Sequence, residues 1–288
     1  LPGFCALVLL SPRLRPWASL SLVAVAFVCT ATAVFEVALP TMDPLLQRLV
    51  RFDSTGRLFL VLVNGIFLGV SFYVRGRVRS APELTSQGAR FAALSLVFLA
   101  ATNVVVMANH LLLQWAALEA TTLAAAPLII RPNVAASRLA SWHYFLFSTV
   151  GLGLVMLGLG CLARGMGAEA GQEASFFLDQ SELPTVTGPW GKLGLALVIL
   201  GLGTKLGLAP MYSWLPQAYE EAPPAVAALL GAVQFNCTLV MLLRVVHGWR
   251  GGNEALVTGE LLVMGVVSMV VATANIITTH NMMRLLAY

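Results

Sequence analysis

Apolar residues along this chain gather in long blocks rather than alternating with polar ones. Residues 17–39 form the first long block, which Pro40 and Pro44 close. Residues 58–74, 91–107, 110–130, 139–163, 190–210, 224–246 and 255–280 follow. Blocks of this length cross a hydrocarbon layer of ~30 Å as helices. Lipid offers the backbone no water, so each block must close its own hydrogen bonds. A β-barrel would need short alternating segments, and the pattern has none. The expected fold class is therefore all-α: a polytopic transmembrane helical bundle with eight full spans and partial ones at both ends. Residues 1–10 are apolar but short, and read as the remnant of a truncated first helix. Tyr288 falls where a new helix should begin, so the chain is expected to be a fragment.

Polar residues mark the connections. Residues 48–53 form a polar rim, Arg75, Arg77 and Arg79 a basic loop, and Arg131-Pro132 a helix end. Residues 164–189 hold Glu169, Glu173, Asp179 and Glu182 and make the longest hydrophilic connection. A short surface helix is expected there at 174–178. Glycines at 151, 153, 158 and 160 allow close helix approach. The 190–210 span is interrupted: Gly201, Gly203, Gly207, Pro210 and Pro216 all weaken regular helix.

Composition supports this picture. Of 288 residues, 58% are hydrophobic and 10% charged, against about a quarter charged in a soluble domain. The net charge of +4 comes from fifteen Arg and two Lys, too scattered for a nucleic-acid surface and suited to loops beside lipid head groups. Alternate loops place nine basic residues on one side, among them Arg75, Arg77, Arg79, Arg90, Arg131, Arg138 and Arg284, and seven on the other. The positive-inside rule puts the first set in the cytoplasm. Cys5, Cys29, Cys161 and Cys237 are far apart and read as small hydrophobes. No cysteine spacing suits an iron–sulfur cluster, and no GxGxxG or P-loop appears. Neither a metal nor a cofactor is expected.

Two charges sit where lipid makes them costly. Glu119 lies near the middle of the 110–130 block and Lys205 within 190–210. An ionisable group at the bilayer centre costs about 2.5 to 3.5 kcal/mol, and such groups usually face the bundle interior and mark ion paths. Lysine suits proton transfer because its proton affinity responds to its surroundings, whereas arginine stays charged. A carboxylate that approaches or retreats would load or unload the amine, an electrostatic proton gate. The plainer alternative is a static buried salt bridge, which adds little net stability. His143 is either a proton relay or an interfacial residue of an aromatic belt. Thr204 and Tyr212 stand beside the interrupted helix as groups able to hydrate the site, since broken helices line transport cavities.

The stretch GTKLGLAPMYSWLPQAYEEAPPAVAALL, residues 203–230, resembles the signature of the antiporter-like subunits of respiratory complex I, multi-subunit cation/proton antiporters and membrane-bound hydrogenases. WAALEATTLAAAPLI, residues 115–129, is similar to their glutamate motif, and HNMMRLLAY to a loop near their tenth helix. The wording EATTLAAAPL and the pair Asn236-Cys237 look most like hydrogenase-4 component F.

The resemblance implies an antiporter-like fold of inverted five-helix repeats. Residues 1–90 would be N-terminal helices, 91–250 the first unit with its broken helix, and 251–288 the start of a truncated second unit. It implies that Glu119 is the coupling carboxylate and Lys205 the central proton carrier. His143 falls where relatives often carry Lys or Arg facing that glutamate. Asn236 stands where complex I relatives often carry Lys. It can order water but holds no charge, which puts the lateral relay in question. Tyr212, Gln217 and Tyr219 replace His, Asp and His of the usual wording. The implied function is a proton-translocating subunit of a redox-driven membrane complex in a bacterial-type inner membrane, partnered by other membrane subunits and by soluble redox subunits. The alternatives are a cation/proton antiporter or bicarbonate-uptake subunit, and a structural paralogue that does not pump.

Overall fold

A computed structural model describes residues 2–9, 18–34, 48–50, 53–80, 85–170, 176–178, 188–249 and 253–288. The chain passes through α1 (Pro2–Leu9), α2 (Ala18–Val34), α3 (Ser54–Ser80), α4 (Thr85–Met107), α5 (Leu111–Ile129) and α6 (Ala135–Ala170). It continues as α7 (Pro189–Leu206), α8 (Trp214–Glu221), α9 (Pro224–Trp249), α10 (Glu254–Thr278) and α11 (Met282–Ala287). Within α9, Leu229–Gln234 winds as π-helix. Among the described residues, α3, α4, α5, α6, α9 and α10 are long and apolar enough to cross a membrane. The other two expected spans also form helices. α2 has 17 described residues, and α7 has 18 with Lys192 and Lys205 among them.

Polar contacts tie the helix ends together at two faces. At the first, Arg244 near the end of α9 donates to Asp53 Oδ1 (2.8 Å), just before α3, and to the carbonyl of Ala108 (3.2 Å) between α4 and α5. The backbone of Asn109 bonds Leu49 and Leu178, both at 2.8 Å. His110 caps α5 by accepting from the Leu112 N–H at 3.3 Å. At the second face, Arg131 after α5 pairs with Glu221 at the end of α8, and Arg284 pairs with Glu220 at 2.5 Å.

The 164–189 connection departs from expectation. α6 begins at Ala135 and runs to Ala170, so Arg164 is helical rather than in a loop. Its guanidinium lies 5.0 Å from the Trp190 ring, at the start of α7. Residues 176–178 are not a surface helix. Phe177 forms a β-bridge with His110, and Phe176 accepts from the Leu111 N–H at 3.1 Å. The open backbone ahead of α5 supplies partners that a free helix turn would lack. Residues 174 and 175 lie outside the described set.

The tightest seam in the bundle joins α6 to α7. Gly158 faces Gly194: a β-carbon built on Gly158 would come within 2.6 Å of the Gly194 carbonyl, and one on Gly194 within 2.7 Å of the Gly158 carbonyl. One heptad away, Gly151 and Gly201 repeat the arrangement, with Thr204 pressed against Gly151. Side-chain-free backbone on both helices is what permits such an approach. Gly153 and Gly160 share the same spacing, but a β-carbon there would meet nothing within 4 Å. α10 leans on the rest through few residues. Met264 packs over Gly203, and Ser268 accepts from the Ala209 N–H at 2.8 Å.

Candidate functional site

The break in α7 positions Lys205. The helix stops at Leu206 because Gly207 turns left-handed (φ 80°), a conformation that glycine takes without a β-carbon penalty. The Leu208 N–H then reaches back to the Gly203 carbonyl at 2.8 Å and the Gly207 N–H to Thr204 at 3.1 Å, a Schellman-type closure. The Trp214 indole donates to the Thr204 carbonyl at 3.0 Å. Pro210 is exposed in the turn that follows, and Pro216 is buried in the first turn of α8, where a missing N–H costs little. Lys205 therefore occupies the last turn of α7, and the seam with α6 fixes its backbone.

The Lys205 side chain is 2% exposed and points to α5. Its Nζ donates to the carbonyl of Leu118 at 3.0 Å and to the hydroxyl of Thr122. Glu119 lies between these two residues in sequence. Its Oε1 accepts from the Thr149 hydroxyl of α6 at 3.1 Å, and its Oε2 is buried with no hydrogen-bond partner. The amine of α7 thus bonds the turn of α5 that carries the acid, yet no ion pair joins the two among the described ones. The static salt bridge considered from the sequence is not what this geometry contains.

A second polar group lies beside the lysine. Tyr144 of α6 is fully buried and adjoins Thr122. Its hydroxyl donates to Gln234 Oε1 at 2.8 Å, and Gln234 Nε2 is buried without a partner. Gln234 closes the π-helical segment of α9, a distortion that recurs at functional sites. The Tyr144 ring packs edge-on against Trp214 at 5.4 Å, which links the helix break to this cluster. Lys205, Thr122, Tyr144 and Gln234 therefore make a continuous polar strip across α7, α5, α6 and α9.

The other candidates make no described hydrogen bond to the lysine amine. His143 Nδ1 meets Gln217 Oε1 of α8 at 2.5 Å, so its described partner is Gln217 rather than Glu119. The Thr204 hydroxyl donates within its own helix to Leu200 at 3.0 Å. Tyr212 accepts from Asn275 of α10 at 3.3 Å. The Asn236 amide donates to the Ala232 carbonyl of its own helix at 2.5 Å. Sequence reasoning missed Thr122, Thr149, Tyr144 and Gln234. A uniform signal was present: each is a polar side chain inside an apolar block, and Thr122 is one turn from Glu119. Among the described residues, no three His, Cys, Asp or Glu side chains converge as a metal site.

Comparison with known proteins gives consistent results. Residues 108–288 match the family described as NADH:quinone oxidoreductase/Mrp antiporter, TM. The hydrogenase-4 component F homolog of Methylacidiphilum infernorum is 26% identical over 256 residues, covering 82% of this chain and 51% of that protein. NADH-quinone oxidoreductase subunit N of Neisseria gonorrhoeae is 29% identical over 201 residues, covering 69% and 41%. The chain thus spans about half the length, or less, of these curated relatives. Among solved structures, a chain of respiratory complex I from Thermus thermophilus superposes with a TM-score of 0.78 at 22% identity, covering 100% of this chain and 59% of that one. A chain of the Mrp complex from Dietzia sp. gives 0.77 at 19% identity, covering 99% and 54%.

Proposed function

This chain belongs to the NADH:quinone oxidoreductase/Mrp antiporter transmembrane family, and on that premise we propose that it moves protons as an antiporter-like membrane subunit of a redox-driven complex. Residues 91–250 act as its first five-helix unit. The complex sits in a bacterial-type inner membrane, and electron transfer occurs in partner subunits.

The observation that carries this reading is the placement of Lys205: a buried amine in the last turn of a broken helix, bonded to the turn of α5 that holds Glu119. An ionisable group at that depth is functional by default. Glu119 keeps one carboxylate oxygen free of hydrogen bonds. A carboxylate near an amine favours its charged form. Movement of Glu119 towards Lys205 therefore holds a proton on the amine, and movement back to Thr149 releases it. Thr122 receives the Lys205 hydrogen bond in the present arrangement. Tyr144 and Gln234 extend the polar strip towards α9.

The test uses the assembled complex in liposomes, with redox-driven proton uptake and subunit content both measured. Lys205→Ala and Glu119→Gln each abolish translocation while the complex still assembles. Normal proton uptake in Lys205→Ala would defeat the reading.

Asn236 supports a second reading, in which the subunit only completes a membrane arm. Its amide is committed to its own helix, and it carries no charge to pass on. That reading requires Glu119→Gln to leave ion flux unchanged. A cation/proton exchange role instead requires flux that depends on sodium and persists without a redox partner.

A further inference from the structure

The ends of α3 and α5 and the beginnings of α4 and α9 enclose an open groove of about 720 Å³. Its walls are largely apolar, with Phe91, Leu94 and Leu128 among them, and it also carries Arg77, Arg90 and Arg131. No acidic side chain lines it among the described residues. Arg77 and Arg90 are exposed. Arg77 reaches the Tyr73 hydroxyl one turn back, at 3.4 Å. Arg131 engages Glu221 through Nη2, while its Nε is buried without a hydrogen-bond partner.

An apolar trough among spanning helices suits an acyl chain. Guanidinium groups match the oxygens of a phosphate and remain charged at any working pH. A free anion would use the arginines and leave the trough unfilled, and a neutral lipid would do the reverse. The groove also opens at the face that carries Arg131 and Arg284, the more basic set of loops, which the positive-inside rule assigns to the cytoplasm. The cytoplasmic leaflet carries anionic lipid, and basic pockets between spanning helices on that side hold acidic head groups. Pro223 and Pro224 line the same groove. Their fixed φ angles make that wall preformed, so less ordering cost attends binding.

We propose that this groove is a binding site for an anionic phospholipid, its phosphate held by Arg77, Arg90 and Arg131 and an acyl chain lying along Phe91, Leu94 and Leu128. The site is separate from the Lys205 cluster, and it stands whether or not the subunit pumps.

The test uses the purified, delipidated complex and a photoactivatable phosphatidylglycerol, with the labelled peptides mapped. Label appears on residues 88–94. Phosphatidylglycerol competes for it, whereas phosphatidylcholine with the same chains competes at least about ten-fold less well. The double variant Arg77→Gln/Arg90→Gln weakens competition by roughly 30-fold, at about 1 kcal/mol for each basic residue near the surface. Leu94→Trp, which alters no charge, fills the trough and removes the label while the complex remains assembled. The proposal fails if phosphatidylcholine competes equally, or if inorganic phosphate at the same concentration displaces the lipid. It also fails if both variants label like the parent, or if crosslinking in native membranes joins residues 88–94 to a protein neighbour.

Discussion

Lys205 is hydrogen bonded to the carbonyl of Leu118, the residue immediately before Glu119. A single turn of α5 therefore carries the carboxylate and also offers the backbone oxygen and the hydroxyl that receive the amine. The ammonium has partners of its own without the carboxylate. Glu119 remains available to move, which an obligate buried ion pair would oppose, since separating such a pair costs several kcal/mol.

The Thr122 hydroxyl is the side-chain partner of the amine, so Thr122→Val leaves Lys205 with one described acceptor. Hydrogen bonds to charged groups contribute about 1.5–3 kcal/mol. A lowered unfolding midpoint of the purified complex and a lowered proton-uptake rate are expected together. A variant with parental stability and rate would show that the Lys205–Thr122 contact is dispensable.

Tyr144→Phe removes one hydroxyl and almost no volume. Gln234 then loses its described donor at full burial, at a cost of about 1–3 kcal/mol. Slower translocation with unchanged subunit content is the expected outcome. Thr32→Val, which removes an exposed hydroxyl of α2 bonded only to the Cys29 carbonyl of its own helix in the described set, should leave the rate at the parental value and provides the control.

Two equally spaced glycine pairs on α6 should respond in opposite ways. Gly158→Leu has no room at the α7 seam, since even a β-carbon would meet the Gly194 carbonyl at 2.6 Å. The folded subunit should be lost from membranes, as judged by protease resistance and complex assembly. Gly160→Leu faces open space and should be recovered at parental levels. Equal tolerance of both would contradict the seam.

Gly207→Ala places a side chain at φ 80°, where an L-residue pays roughly 1–2 kcal/mol. The added carbon would also lie 2.9 Å from Leu215 Cδ1. Reduced thermal stability and impaired ion flux are expected, because the α7 break can no longer close as it does. Gly207→Asn should recover part of the loss, since asparagine tolerates the left-handed region better.

Much of this arrangement was readable from the chain. The apolar blocks announced the helices, because lipid leaves the backbone no alternative. Glu119 and Lys205 were conspicuous as charges inside those blocks. Their partners were not, because Thr122, Tyr144 and Gln234 carry no charge and their relevance depends on which helices touch. Glycine spacing also left an ambiguity: Gly151 and Gly158 repeat every seven residues, as do Gly153 and Gly160, and only packing decides which pair meets α7. The 176–178 segment was misjudged because its backbone partners lie more than sixty residues away in sequence, at Asn109 and His110. A local pattern cannot reveal them.

The glycine contacts between α6 and α7 have a mechanical consequence. Where backbone rests on backbone, with Val155, Leu162, Val198 and Thr204 wedged alongside, sliding or rolling of either rod meets immediate steric resistance. The anchorage of Lys205 is therefore expected to hold its place relative to Tyr144 and Thr149. A change of distance would then come from the lysine's own methylene arm, from the Glu119 side chain, or from a shift of α5. A spacer reporter spanning α6 and α7 should stay silent through the working cycle, while one between α5 and α7 should respond.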